Sequence, residues 1–253
     1  MTASRWAGLL VLAGALALAA GAWVRQRPVT PAPVATAIVA PTAAPIAARR
    51  AQAEFGTTPA SADVRRIADW AAEGGDAQGQ SFMVVDKKAA EVHVFDATGR
   101  LAGSAPVLLG SARGDHSVPG IGQRPISAVR PFERTTPAGR FVTAAGRNLD
   151  GEPVVWIDYE AAVSMHRVRA TVARERRLER LTSASAADNR ISYGCINVPV
   201  SFYEAVVWPA FSRAAGIAYV LPDKRPLHEV FVGLPDVVGR AQAMPARKRS
   251  TAS

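Results

Sequence analysis

The sequence predicts a mainly β domain over residues 81–223, and three observations support this prediction. Short runs with period-two alternation, rich in β-branched and aromatic residues, follow one another through this region. Turn residues separate the first of these runs, at Asp86–Lys88 and Asp96–Gly99. Helical periodicity is limited to one segment before the region and one near its end. We therefore expect β-sheets as the frame of the domain and helices as accessories.

Each strand prediction depends on a short apolar or alternating run. The predicted strands are Phe82–Val85, Val92–Phe95, Leu101–Leu109, Arg140–Thr143, Val154–Asp158, Val163–Val168 and Ile217–Leu221. A short accessory helix is predicted to begin after Ser61, a good N-cap residue, and to stop at Gly74. A second helix is predicted at Ser201–Trp208, just after Pro199.

The sequence before this domain indicates that the protein is exported. Residues 1–26 carry an uncharged apolar stretch, Trp6–Val24, which reads as a signal peptide or a membrane anchor. A buried core helix is the alternative interpretation of this stretch. Residues 27–60 are rich in Pro and Ala and predict a linker, residues 61–80 hold the accessory helix and a connection, and residues 224–253 form a tail whose last part is expected to be disordered. We expect a periplasmic or cell-envelope location, with attachment to the inner membrane if the leader is not cleaved.

The formal net charge of +9 favours anionic partners without naming them. The Lys and Arg residues are scattered, and the sequence has no helix-turn-helix or zinc signature, so nucleic acid is not expected as a partner. No residues have metal-ligand spacing. The sequence therefore predicts neither a metal nor a cofactor.

The chain has a single cysteine, Cys195. In an oxidising compartment an unpaired thiol cannot form a structural disulfide, so a chemical role is the first hypothesis. A thiol becomes a nucleophile when a base raises its thiolate fraction, and histidine is the usual base. Of the candidates, His166 ranks first because its strand precedes the cysteine segment, and His116 ranks second; His93 and His228 complete the set.

The residue before the cysteine is Gly194. Glycine allows a sharp bend in the backbone, so the amides of Gly194 and Cys195 could both point at a developing oxyanion. This local pattern favours acyl transfer with Cys195 as the nucleophile.

The segment Ser192–Asn197 reads Ser-Tyr-Gly-Cys-Ile-Asn and resembles the signature of the YkuD-type L,D-transpeptidases. Thr136–Phe141 also resembles a turn that usually precedes the catalytic half of that family, and Pro137 with Gly139 suits a type I turn. The helix after the cysteine and the closing strand Gly216–Leu221 follow the same order. The resemblance covers about residues 81–223 and implies a twisted β-sandwich.

The resemblance implies a role for each residue of the motif. Cys195 would be the nucleophile, and His166 would take its proton and later serve the acceptor amine. The amides of Gly194 and Cys195, with Tyr193 as a third candidate, would bind the oxyanion. Ser192 and Asn197 would hold the loop, although substrate contact is open for both and Asn197 could also cap the following helix.

The implied activity is that of a peptidoglycan L,D-transpeptidase, which transfers an acyl group from a stem tetrapeptide through a Cys195 thioester to an acceptor amine. Stem peptides are the implied partners, and a monomer is expected. Two alternatives remain open: an L,D-carboxypeptidase that uses water as the acceptor, and a non-catalytic wall-binding module.

Two features depart from the family pattern. Tyr193 stands where the family usually has histidine, which leaves its role open. The segment between His166 and Ser192 is longer than usual and basic, with Arg167, Arg169, Arg174, Arg176, Arg177 and Arg180 against Glu175 and Glu179. Its residues 167–190 could form a helical lid that binds a carboxylate-bearing peptide, or a solvated helix face.

Overall fold

The computed structural model describes residues 52–235. The predicted leader, most of the predicted linker and the end of the tail lie outside the described residues. Within residues 52–235, no helix is long and apolar enough to cross a membrane.

The prediction of a mainly β domain is confirmed. Its strands are β1 (Phe82–Asp86), β2 (Glu91–Phe95), β3 (Leu101–Pro106), β4 (Leu109–Gly110), β5 (Gly139–Val142), β6 (Ala144–Arg147), β7 (Pro153–Asp158), β8 (Val163–Arg167), β9 (Arg190–Ser192), β10 (Ile196–Val198) and β11 (Ile217–Val220). The larger sheet has the order β3-β2-β1-β11-β5, the second β10-β8-β7-β6, and the third contains β4 and β9. Most neighbours are antiparallel, but β1 with β11, β8 with β10, and β4 with β9 run parallel.

The larger sheet is buried on both faces. Along β1, Met83 and Val85 pack into a core shared with the second sheet, whereas Phe82 and Val84 pack against the N-terminal helix. Successive strand residues point to opposite faces, so burial on both sides requires a continuous apolar run. This explains why every residue of β1 is buried.

The helices lie close to where the sequence predicts them. Helix α1 (Ala62–Glu73) begins after Ser61, whose Oγ accepts a hydrogen bond from the Val64 amide, and it ends at Gly74. A short helix α2 (Arg177–Leu181) lies between β8 and β9. After the cysteine, α3 (Val200–Phe202) continues through a π-helical turn (Tyr203–Val207) into α4 (Trp208–Phe211). Pro209 lies just past this turn; it has no amide hydrogen to close a normal helical bond, which favours the wider turn.

The packed domain extends beyond its predicted boundaries at both ends. Phe55 is buried and its ring lies 5.1 Å from that of Phe95. At the other end, helix α5 (Leu227–Val230) is followed by buried Phe231 and Leu234. The domain therefore begins before residue 61 and continues past residue 223, because these apolar side chains complete the core around α1.

One local prediction is wrong. The segment Thr136–Gly139 does not form a type I turn but leads without a turn into β5, which begins at Gly139. The Thr136 carbonyl accepts a hydrogen bond from Lys87 Nζ at 2.8 Å, and the Ala138 amide donates to the Asp115 carbonyl at 3.0 Å. Long-range partners thus replace the local bond that a turn would need.

Candidate active site

Two parallel strands bring the cysteine and the favoured histidine together. In the pairing of β8 with β10, Asn197 lies opposite His166 and Ile196 lies opposite Met165. One step back, Cys195 therefore lies beside Ser164. Because alternate residues of a strand share a face, Ser164, His166, Cys195 and Asn197 present their side chains on the same side of the sheet.

The thiol of Cys195 is half-buried and has two polar neighbours. Its Sγ lies 3.8 Å from Ser164 Oγ and 3.5 Å from the Ala162 carbonyl. Burial raises the pKa of the Cys195 thiol. Hydrogen bonding and charge from His166, together with hydrogen bonds from Ser164, lower this pKa by more than burial raises it, so the thiol pKa lies below its ordinary value. The site therefore favours the nucleophilic thiolate.

The hydrogen bonds of His166 define which nitrogen can act as a base. Nδ1 lies 2.7 Å from the Arg167 carbonyl, which can only accept, so Nδ1 carries the hydrogen. Nε2 then holds the lone pair in the neutral ring and lies 3.4 Å from Asn197 Nδ2, a donor. The Cys195 thiol also contacts Ser164 Oγ and the Ala162 carbonyl, and the distance between a catalytic thiol and its base commonly shortens when substrate binds.

The loop around the nucleophile is closed by Ser192. Its hydroxyl donates to the Cys195 carbonyl at 2.6 Å and accepts from the Gly194 amide at 3.1 Å. The prediction that the Gly194 amide faces an oxyanion is therefore wrong for this conformation, because that amide is already used inside the loop. Among the described residues, the amides of Tyr193 and Cys195 have no protein acceptor, and these two are the candidate oxyanion donors.

Tyr193 lines the cleft without closing the loop. Its ring lies 4.0 Å below the guanidinium of Arg134, which in turn donates to the Val129 carbonyl. This stacking holds the aromatic face beside the cysteine. The structure therefore places Tyr193 as part of the cleft surface.

Thr136 was missed by the sequence reasoning as a residue of the site. Its hydroxyl donates to the Gly194 carbonyl at 2.8 Å and accepts from the Gly110 amide at 2.9 Å. The sequence pattern of Thr136–Phe141 predicts a turn and gives no sign that the Thr136 hydroxyl contacts the nucleophile loop. The Thr136 side chain instead stabilises the bend before the nucleophile through its hydrogen bond to the Gly194 carbonyl.

Gly194 cannot carry a side chain at this position. Its φ is +138°, and a Cβ would lie 2.8 Å from the Thr135 carbonyl. We expect Gly194→Ala to lower stability by about 1 to 3 kcal/mol and to slow alkylation of Cys195 by iodoacetamide. Urea unfolding and the alkylation rate check this.

Gly151→Ala is the matched control, since Gly151 also has a positive φ, +78°, but its Cβ would meet nothing within 4 Å. The Gly151→Ala variant should lose some stability because of the positive φ, but Cys195 should be alkylated at the wild-type rate. Wild-type alkylation in Gly194→Ala would show that the bend is not needed to present the thiol.

The segment between β8 and β9 forms one wall of the cleft. The cleft has a volume of about 280 Å³ and lies over Cys195 and His166; this segment contributes Arg169, Thr171, Val172, Glu175 and Arg177. Its regular structure is limited to a 3-10 turn at Ala173–Glu175 and the five residues of α2. Leu181 packs against Leu108 and Val168, which anchors it. The segment for which the sequence leaves open a helical lid or a solvated helix face is therefore a wall with only short helical turns, packed through Leu181.

Most of the arginines of this wall are already paired. The pairs are Arg167 with Glu204, Arg169 with Asp150 and Glu152, Arg176 with Glu179, and Arg177 with Glu175. Internal pairing leaves little free positive charge at the cleft. The structure thus gives no support to the prediction that the basic segment is a receptor for carboxylates.

A buried ionic network lies beneath the nucleophile loop and had no signal in the sequence. The ammonium group of Lys87 is fully buried and contacts the Gly114 carbonyl, Asp115 and the Thr136 carbonyl at 2.6 to 3.0 Å. Burial lowers the pKa of Lys87, while Asp223 and Asp115 oppose this effect. Because Thr136 also binds the Gly194 carbonyl, the network is continuous with the loop.

Asp115 remains ionised throughout the neutral range. Burial would raise the pKa of its carboxyl group, but three backbone amides and Lys87 lower it to about 2. The same carboxylate accepts hydrogen bonds from the backbone amides of Asp223, Lys224 and Arg225. These bonds connect the start of the C-terminal segment to the network beneath the nucleophile loop.

The other three histidines do not line the cleft. His93 is buried in β2 and bonds to Ser104 Oγ at 2.7 Å. The carbonyl of His116, the second-ranked candidate, accepts from Thr135 Oγ1. His228 is exposed on α5. The described part of the chain contains no cluster of three or more residues suited to hold a metal ion.

Comparison with known proteins gives matches among solved structures only. No family model and no curated protein matches the sequence. The catalytic domain of the Enterococcus faecium L,D-transpeptidase matches with a TM-score of 0.33 and 18% identity, over 56% of this chain and 98% of that one. LdtMt1, an L,D-transpeptidase determined in complex with imipenem, matches with a TM-score of 0.34 and 17% identity, over 56% and 58%.

A third match is the helical cell shape determining protein Pgp2 of Campylobacter jejuni, with a TM-score of 0.39 and 11% identity, over 58% of this chain and 48% of that one. The chain thus spans about half the length of LdtMt1 and Pgp2. L,D-transpeptidases recur among the matched structures. At these TM-scores and identities the likeness carries no weight for function, which has to be argued from the site.

Proposed function

We propose that this chain is a cysteine-dependent peptidoglycan L,D-transpeptidase. The observation that carries the proposal is the placement of the Cys195 thiol and the His166 imidazole on one face of two parallel strands, at the floor of a cleft. A lowered thiol pKa and a bend that requires glycine support the same conclusion. The motif Ser192–Asn197 supplies the substrate class.

The first half-reaction forms a thioester. The Cys195 sulfur attacks the carbonyl that joins the third stem residue, at its L centre, to the terminal D-Ala. His166 accepts the thiol proton at Nε2 and returns it to the departing amine of D-Ala. The amides of Cys195 and Tyr193 would bind the oxyanion of the tetrahedral intermediate.

The second half-reaction frees the enzyme. The amine of a second stem peptide attacks the thioester carbonyl and loses a proton to His166, which passes it to the leaving sulfur of Cys195. The product is an amide cross-link between two stems. Every proton is moved by a residue of this chain, so the scheme calls on no further group.

The decisive experiment measures D-Ala release from a stem tetrapeptide. Wild type should release D-Ala, and Cys195→Ala should release none above the blank, because no other thiol is present in the chain. Urea unfolding of both proteins shows that the variant is folded. Equal release by the two proteins would end the proposal.

The acceptor is tested with the same substrate. Cross-linked product that depends on an added amine supports a transpeptidase, whereas tripeptide alone under all conditions indicates a carboxypeptidase. A carbapenem should add its mass to Cys195, as expected for an acylated thiol. An unmodified Cys195 together with binding to isolated cell-wall sacculi would indicate a non-catalytic binding module.

We also propose that the protein works in the cell envelope, exported by or held through residues 1–26, where its wall substrate lies. The support is the apolar stretch Trp6–Val24. Fractionation of cells that express the chain with and without residues 1–26 tests this, and equal cytosolic recovery of both forms would contradict it.

A further inference from the structure

Arg177 lies in the cleft wall and contacts Asn197, the residue that hydrogen-bonds to His166. Its Nη1 donates to Asn197 Oδ1 at 2.7 Å, and its Nε donates to Glu175 Oε2 at 2.6 Å. Only 14% of its side chain is exposed. The guanidinium is therefore held from two sides at the edge of the site.

This contact decides how the Asn197 amide is oriented. Guanidinium groups donate and never accept, so the atom that faces Arg177 must be the oxygen of Asn197. The amide nitrogen then points the other way, 3.4 Å from His166 Nε2 and 3.3 Å from the Cys195 carbonyl. Asn197 thus bridges the base and the backbone of the nucleophile.

The orientation of the amide has a consequence for the histidine. Asn197 Nδ2 offers a hydrogen, so Nε2 of His166 has to present its lone pair, and the ring hydrogen has to be on Nδ1, where the Arg167 carbonyl accepts it. If the Asn197 amide turned over, its oxygen would face Nε2 and favour the opposite tautomer. That tautomer cannot take a proton from the thiol.

We propose that Arg177 is a positioning residue for the proposed reaction: through Asn197 it holds His166 in the tautomer and orientation that accept the Cys195 proton. The inference rests on the proposed function and deepens it. The ion pair of Arg177 with Glu175 does not prevent this role, because Nε binds Glu175 while Nη1 binds Asn197.

The alternative role for Arg177 is recognition of a substrate carboxylate. The pairing of Arg177 with Glu175 argues against it, because Glu175 also lines the cleft, neutralises the guanidinium and would repel a substrate carboxylate. The two roles predict different kinetics. A binding residue changes KM and leaves the thiol unaffected, whereas a positioning residue changes the reactivity of the thiol before any substrate is present.

The test measures iodoacetamide alkylation of Cys195 in the full chain across pH 5 to pH 10. The charged groups that face Cys195 and His166 in the cleft are Arg169, Glu175 and Arg177. We expect Arg177→Gln to shift the pH midpoint of alkylation upward and to slow alkylation at pH 7 by about fivefold to tenfold, as for neighbours in one hydrogen-bond network. Arg177→Lys, which keeps a donor, should recover part of the rate.

Two further variants make the result specific. Arg174→Gln removes the same charge from an exposed arginine of the same segment and should leave the profile unchanged. In an Asn197→Ala background, Arg177→Gln should add less than about twofold, because Arg177 acts through Asn197. An unchanged profile in Arg177→Gln, or its full effect in the absence of Asn197, would overturn the inference.

The outcomes also separate this inference from the proposed function. If wild type shows the pH profile and its loss in Arg177→Gln but releases no D-Ala, the reaction has been misassigned and the positioning contact stands. If D-Ala is released normally and only KM rises in Arg177→Gln, the reaction stands and Arg177 is a substrate-binding residue instead. Urea unfolding of each variant confirms that the compared proteins are folded.

Discussion

Replacing His166 with glutamine is expected to slow D-Ala release by about 100-fold to 10,000-fold, the range for loss of a positioned base. Glutamine keeps a polar side chain but cannot take the thiol proton. Because His166 is the main group that lowers the thiol pKa, the pH midpoint of Cys195 alkylation should also rise in His166→Gln. Single-turnover release and pH-dependent alkylation measure the two effects.

The control for this prediction is His228→Gln. His228 is exposed on α5 and does not line the cleft, so its replacement should change neither measurement. A His166→Gln variant with wild-type alkylation at neutral pH would show that another group activates the thiol. The first half-reaction would then need a different base.

Replacing Lys87 with methionine is expected to lower the free energy of unfolding by about 3 kcal/mol, the lower end for breaking a buried ion pair. The lower end applies because Asp115 keeps three backbone amides and Asp223 keeps its 2.6 Å contact with Arg190. Methionine has a similar length but leaves the Thr136 carbonyl without its buried donor. Urea unfolding at neutral pH gives the value.

Lys88→Met is the matched control, since Lys88 is the next residue and is exposed. Surface changes of this kind usually stay within about 0.5 kcal/mol. A loss in Lys87→Met no larger than in Lys88→Met would show that the network contributes little to stability. It would also remove the argument that Lys87 braces the loop through Thr136.

The sequence predicted the parts of the fold that depend on local patterns. The predicted strand Phe82–Val85 and the predicted helix after Ser61 agree with the observed boundaries to within a residue or two. Both predictions depend on residues that are neighbours in the sequence: an apolar run for the buried strand and a capping residue for the helix. The strands β9 and β10 were not predicted. Each has three residues, too few to show a period.

The candidate site was predictable to the extent that its residues lie in one motif or in one strand pair. Cys195 and His166 are singled out by their residue types and order, and the structure places His166 in β8 and Cys195 immediately before its partner strand β10. Their catalytic roles stay predictions. The parts that failed depend on partners far apart in the chain: Thr136 with Gly194, and Lys87 with Asp115. No local spacing encodes such contacts.

The parallel pairing of β8 with β10 separates the geometry of the reactive pair from the length of chain that joins them. A parallel connection has to leave the sheet and return to it, and the pairing of β8 with β10 sets the register that brings Cys195 beside Ser164. Provided that Arg177 keeps its contact with Asn197, the rest of the segment from residue 168 to residue 189 can therefore lengthen, shorten or acquire new side chains while the sulfur and the imidazole keep their places. Variation in that segment offers a route to change selectivity without rebuilding the chemistry.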